Sequence, residues 1–120
     1  MIDFDKMRGL APAIVQDDAT GDVLMLGFMN REAWEATLQS GFVTFYSRTR
    51  NQLWMKGETS GNRLQIVSMA TDCDSDSLLL RVRVLGAGVV CHEGTRSCFT
   101  RAIALPSESV APATAEGALR

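Results

Sequence analysis

The chain has 120 residues, a formal net charge of −2 and 46% hydrophobic residues. That length suits one domain with a real core. No apolar run approaches the ~20 residues of a membrane-spanning helix, and the charge balance carries no footprint for nucleic acid. The acidic start, Met1-Ile2-Asp3-Phe4-Asp5, lacks the basic and apolar regions of a secretory signal, so a cytoplasmic location is expected.

In chain order, Ala13–Gln16 and Val23–Met29 read as two strands around the polar turn 17–22, a hairpin. Asn30 can cap a helix over Arg31–Ser40, with Gly41 as its stop. Trp34 and Leu38 would share its inner face, with Ala33 and Thr37 beside them. Phe42–Ser47, Leu53–Lys56, Leu64–Asp72 and Leu78–Leu85 read as further strands. In the last of these, Leu80, Val82 and Val84 alternate with Arg81 and Arg83. Gly86-Ala87-Gly88 turns into Val89–Cys91, and Phe99–Leu105 is expected as a final strand. From Pro106 the composition shifts to small and polar residues without periodicity. The division is a domain over 1–105 and a flexible tail over 106–120. The sum is an α+β domain, mostly antiparallel strands with one or two helices.

All three cysteines and the single histidine fall between Asp72 and Cys98. An odd cysteine count excludes a closed disulfide framework, and thiols in a chain without a signal stay reduced. The spacing C-x17-C-x6-C has no close pair of the kind that builds a structural zinc finger. Three thiols, Cys73, Cys91 and Cys98, fit a zinc ion that keeps one position open for water. The commoner fate of any single cysteine is a buried core thiol; the clustering favours metal. His92 follows Cys91 directly, and on an extended backbone the two point to opposite sides, so they do not share an ion. Zinc on three thiolates carries net charge −1 and acidifies water less than zinc on neutral histidines, which gives a nearby base more to do. His92 is the candidate base.

Asp72, Asp74 and Asp76 form D-x-D-x-D. On a strand they would share a face, with Cys73 pointing away. The pattern opens an EF-hand loop, but Ser77 and Arg83 stand where that loop needs its Gly and its bidentate Glu. Magnesium, held by a few carboxylates plus waters or phosphates, fits better. Asp in an acidic turn is the commoner use.

Trp54-Met55-Lys56-Gly57-Glu58-Thr59-Ser60-Gly61-Asn62 combines an aromatic face, a cation, hydroxyls and two glycines. Its backbone amides and Lys56 suit a phosphate, although it is not a P-loop, and a plain polar turn fits the spacing equally well. Arg48 and Arg50 in the preceding turn offer forked donors. Trp54 either stacks on a base or fills the core.

Taken together, Val15-Gln16-Asp17, Ser47-Arg48-x-Arg50, the Trp54–Asn62 segment, Asp72-Cys73-Asp74-x-Asp76 and Cys91-His92-x-Gly94-x-x-Ser97-Cys98-Phe99 resemble the phosphoribosyl-AMP cyclohydrolase family of histidine biosynthesis. The likeness runs from about Gly9 to Phe99. Glu93 departs from the Thr expected there, and the tail matches nothing. Some relatives are fused to a phosphoribosyl-ATP pyrophosphatase, for which this chain is too short. The resemblance implies an intertwined homodimer. Its zinc would be bound by Cys73 of one chain with Cys91 and Cys98 of the other, and magnesium by Asp72, Asp74 and Asp76. It implies a nucleotide substrate bound by Arg48, Arg50, Trp54, Lys56, Glu58, Thr59, Ser60, Gly61 and Asn62, and hydrolysis of the adenine N1–C6 bond by zinc-activated water with His92 as catalytic residue. No nucleic-acid or membrane partner is expected. The alternative is a structural zinc-binding interaction module, marked by a closed four-ligand ion.

Overall fold

The structure, a computed structural model, describes residues 2–106. A short 3-10 turn (Asp5–Met7) precedes β1 (Ala11–Asp17), β2 (Val23–Met29), α1 (Arg31–Ser40), β3 (Thr44–Ser47), β4 (Gln52–Met55), β5 (Leu64–Thr71) and β6 (Leu78–Val84). The α+β expectation holds. No helix among these residues is long and apolar enough to cross a membrane.

Alternation builds the main sheet. Ala11, Ala13 and Val15 of β1 and Leu78, Leu80 and Val82 of β6 are buried, while their neighbours turn outward. The strand order is β2-β1-β6-β5. The β1–β2 and β5–β6 pairs are antiparallel, but β1 and β6 run parallel, with Ala13 beside Leu78 and Asp17 beside Val82. β3 and β4 form a separate hairpin. It is joined to β5 through the Val43 N–H on the Leu64 carbonyl (3.0 Å) and an isolated bridge between Phe42 and Gln65. Phe45, Leu24, Met29, Leu64, Leu80 and Val43 fill the core between these layers.

The helix has the expected ends. Asn30 Oδ1 accepts from the Ala33 N–H (2.8 Å), and Gly41 takes the left-handed conformation (φ 82°) while its N–H bonds the Thr37 carbonyl. Its inner face differs from the expected one. Ala33 and Thr37 are buried, Trp34 is half-buried, and Leu38 is 53% exposed. Small residues let α1 lie close on β3, and Thr37 Oγ1 reaches across. It donates to the Ala33 carbonyl (2.9 Å) and accepts the buried Thr44 N–H (3.0 Å).

Three expected extended stretches are absent. Residues 72–77 are a turn, not the end of β5. Val89–Cys91 and Phe99–Leu105 form no strand, because no sheet edge among the described residues pairs with them. Ile103 and Leu105 stay 87% and 68% exposed. Beyond Pro106 the expected tail lies outside the described residues.

Replacing Thr37 by the isosteric Val removes the acceptor of a buried N–H. The expected cost is about 1–3 kcal/mol of unfolding free energy by urea titration, with the fold retained. A change below a few tenths would contradict the role given to this hydroxyl.

Candidate functional site

β6 carries a different chemistry at each end. The acidic turn leads into Leu78, and the chain leaving Val84 passes through Gly86-Ala87-Gly88 to Cys91.

At the leading end, Asp72, Asp74 and Asp76 each offer an oxygen within 4.8 Å of the others, the one such group of metal-ligating side chains among the described residues. A turn gathers them, not strand alternation. Ser75 takes a positive φ of 64°, and Asp72 Oδ1 accepts the N–H groups of Asp76 (3.0 Å) and Ser77 (3.1 Å). Desolvation pushes the Asp72 carboxyl up, but the Asp76 N–H and hydrogen bonds with its neighbours outweigh it and bring the value down to about 2. Asp76 is pushed up, first by its hydrogen bond with Asp72 and then by desolvation. Lys6 supplies a countercharge: its ammonium donates to the Asp74 carbonyl and lies 3.9 Å from Asp76 Oδ2. Cys73 is exposed on the same turn.

At the trailing end, Cys91 is buried, Cys98 is exposed, and both line one cleft close enough to shift each other's ionisation. A tight turn holds Cys91: its N–H and that of Val90 share the Thr95 carbonyl, and Gly94 N–H bonds the Cys91 carbonyl (2.9 Å). The Glu93 N–H, then the Thr95 hydroxyl, bring the Cys91 thiol below its ordinary value against the opposing effect of burial. Burial, then the Cys91 sulfur, raises Cys98, while the Lys56 charge pulls the other way. Cys91 is therefore the first thiolate of the pair. Glu93, the departure from the family pattern, lies 3.8 Å from Arg101.

Two clefts meet at Cys91 and His92. One, of about 280 Å³, runs between Lys56, Ser60 and Asn62 and the Val89–Gly94 stretch. The other, of about 460 Å³, is lined by Cys91, His92, Glu93, Cys98, Phe99 and Arg101. The loop after β4 is tied to this place. Asn62 Oδ1 accepts the Ala87 N–H (2.8 Å), and Gly57 and Gly86 lie so close to Asn62 that a Cβ on either would collide with it.

The expected substrate residues divide into separate groups. Lys56, Ser60 and Asn62 face the cysteine loop. Arg50 and Trp54 line another cleft, of about 260 Å³, with Ser47 and Thr49, and Trp54 packs on Phe45 at 5.2 Å between ring centres. Arg48 lies over the Phe28 ring at 4.3 Å. Glu58, Thr59 and Gly61 belong to the same loop as Lys56 but line none of these three clefts. Cys73 joins no ligand group with Cys91 and Cys98, and neither does His92.

Sequence reasoning missed three supports of the thiol loop. Arg96 binds Asp17 and Asp22, Ser97 Oγ donates to the Val23 carbonyl (3.0 Å), and Cys98 N–H bonds the Leu24 carbonyl (2.7 Å). Their partners lie more than seventy residues away in sequence, so no local pattern announces them. The only available signal was a loop with more polar side chains than its turn needs.

A family model described as phosphoribosyl-AMP cyclohydrolase matches residues 25–100, which takes in both the acidic turn and the thiol loop. The chain belongs to the phosphoribosyl-AMP cyclohydrolase family, a family of hydrolases. It is 52% identical over 102 residues to the phosphoribosyl-AMP cyclohydrolase of Desulfatibacillum aliphaticivorans, covering 85% of this chain and 81% of that relative. Over 98 residues it is 58% identical to the histidine biosynthesis bifunctional protein HisIE of Bacteroides thetaiotaomicron and 56% identical to the protein of that name from Escherichia coli. Each of those matches covers 82% of this chain and 47% of the relative, so the chain spans about half the length of these bifunctional proteins.

The coupled carboxyls give a direct check. In metal-free protein, carboxyl-carbon NMR should show Asp72 titrating near pH 2 and Asp76 above its ordinary 3.8. Because the folded value of Asp72 is lowered, its contribution to stability is complete above pH 3.8 and is lost as pH falls towards 2. Asp72→Asn should return Asp76 towards its ordinary value. Two unshifted titrations would contradict the geometry of the turn.

Proposed function

We propose that this chain is a zinc-dependent phosphoribosyl-AMP cyclohydrolase acting as a homodimer in histidine biosynthesis. The observation that carries the reading is the meeting of the Lys56–Asn62 loop with Cys91 and His92 across one cleft. A phosphate-suited loop and a thiol–histidine pair there face a shared space.

The donor chemistry fits the metals. Two thiols on one cleft, one with its pKa lowered, suit zinc, and three oxygens on one turn suit magnesium. Among the described residues, no third ligand for zinc stands beside Cys91 and Cys98 within one chain. Cys73 precedes β6 and Cys91 follows it, and six steps of extended chain from Leu78 to Val84 hold the two ends about 20 Å apart. In this reading the third thiolate is Cys73 of the partner subunit, as the family resemblance implies, and the length of β6 between the two cysteines supports it. A closed structural zinc needs two further donors beside Cys91 and Cys98. Among the described residues no other His, Cys, Asp or Glu side chain groups with that pair.

In the substrate, the phosphoribosyl group on N1 leaves C6 of adenine electron-poor. Zinc on the thiolates supplies Lewis-acid activation of water. Exposed beside Cys91, His92 takes the proton of the attacking water as its oxygen bonds to C6, and returns a proton to N1 as the N1–C6 bond breaks. The exocyclic nitrogen stays on C6 as the new carboxamide. Lys56, Ser60 and Asn62 hold the nucleotide end, with the Lys56 charge set against a phosphate. Arg50, in its own cleft, is the candidate for the second phosphate, and Asp72, Asp74 and Asp76 would hold magnesium, which would supply charge neutralisation for phosphate. Arg48, Trp54, Glu58, Thr59 and Gly61 complete the substrate-binding set that the family resemblance implies. A cytoplasmic setting belongs to the reading, since free thiolates need reducing surroundings.

Zinc-loaded protein given phosphoribosyl-AMP should show the absorbance change of ring opening. His92→Ala should retain zinc and lose about 10²–10⁴-fold in kcat, and Cys91→Ser should lose the metal. No turnover by metal-replete protein would overturn the activity, and an unimpaired His92→Ala would remove the histidine from the chemistry.

A further inference from the structure

Three consecutive residues, Arg96, Ser97 and Cys98, are fastened to the segment 17–24 at the end of β1 and the start of β2. Arg96 stands at the joint between that docking and the tight turn that holds Cys91. Its guanidinium is filled from two sides: Nη1 donates to Asp22 Oδ2 (2.6 Å), and Nη2 donates to Asp17 Oδ2 and to Thr20 Oγ1 (3.0 Å). The receiving turn is built for this. Asp17 Oδ1 takes the Ala19 N–H (2.8 Å), Thr20 Oγ1 takes the Asp22 N–H (3.1 Å), and Asp17 N–H bonds the Asp22 carbonyl (2.8 Å). The Asp17 side chain is only 14% exposed, so one end of the contact is shielded from water. Asp18 extends the anchorage to β6, with Asp18 N–H on the Val82 carbonyl (2.9 Å) and Arg81 on its carboxylate (3.1 Å).

We propose that Arg96 is a positioning residue that fixes Cys98 against Cys91 by clamping the thiol loop to the Asp17–Asp22 turn. The Arg96 guanidinium bonds Asp22, Asp17 and Thr20, not the thiols, and acts through the backbone of Ser97 and Cys98. A planar fork that meets two carboxylates at once cannot be replaced by the single ammonium of lysine. With the clamp cut, Cys91 keeps its local turn, while Cys98 relies on the Ser97 hydroxyl and its own N–H alone. The functional consequence rests on the zinc reading above; the geometric claim does not.

The test reads the thiol pair itself. In a Cys73→Ser background, metal-free full-length chain is treated with a bis-alkylating reagent that fluoresces only after bridging two thiols. Arg96→Lys, Arg96→Ala and Asp22→Asn are compared with the parent, and Asp22, 58% exposed, gives a variant that spares the fold. Bridging should slow roughly tenfold in both Arg96 variants and by less in Asp22→Asn, because the thiols lose their held orientation. In the otherwise unmodified chain, Arg96→Lys should weaken cobalt(II) binding about 10–100-fold and alter its thiolate charge-transfer band, with substrate KM within about twofold. Parental bridging rates in Arg96→Lys and Asp22→Asn, both folded by circular dichroism, would overturn the clamp. Absence of a cobalt–thiolate band in the unmodified chain would instead overturn the zinc reading, and the bridging rates would still decide the clamp.

Discussion

The parallel pairing of β1 with β6 is the constraint on which the rest depends. It sets Asp17 beside Val82 and Ala13 beside Leu78. The trailing end of β6 therefore arrives at the β1–β2 turn, where Arg96, Ser97 and Cys98 find their partners. Its leading end is sent to the opposite edge with the acidic turn. An antiparallel arrangement would bring the acidic turn, and Cys73 with it, to the β1–β2 turn. The strand thus acts as a spacer between the cluster of aspartates and the pair of cysteines.

Electrostatics then distinguishes the two ends. In the acidic turn, backbone N–H groups favour one carboxylate while its neighbour is pushed towards the protonated form, an arrangement that a divalent cation relieves. In the thiol loop, backbone and hydroxyl donors favour one thiolate, while burial and its neighbour hold the second thiol towards its protonated form. Hard oxygen donors and soft sulfur donors are kept apart by geometry as well as by chemistry. Each end suits its own ion.

Local signals were legible in the sequence, and long-range ones were not. Asn30 and Gly41 announced α1 because caps act within four residues. Alternation announced β6, and the polar turn 17–22 announced the hairpin of β1 and β2. Leu38 was assigned to the wrong face because the helical period alone does not say that Thr37 is needed to receive the Thr44 N–H. Phe99–Leu105 read as a strand from composition, but a strand exists only with an edge to pair on. The three aspartates do gather, but on a turn and not on a strand, because a turn with a positive φ at Ser75 brings a D-x-D-x-D run together as readily as strand alternation would. Arg96 was invisible because its acceptors come from the first quarter of the chain.

The central claim of the proposed function is that the zinc site is completed across two chains, with Cys73 of one and Cys91 and Cys98 of the other. The most direct measurement mixes a Cys73→Ser chain with a Cys91→Ser chain and isolates the heterodimer through two affinity tags. Each parent should be inactive. The heterodimer should contain one intact site and one doubly damaged site, and so recover about half of the wild-type turnover per dimer, as two-fold symmetry requires. Confirmed heterodimers with no activity, or an active Cys73→Ser parent, would contradict a shared site.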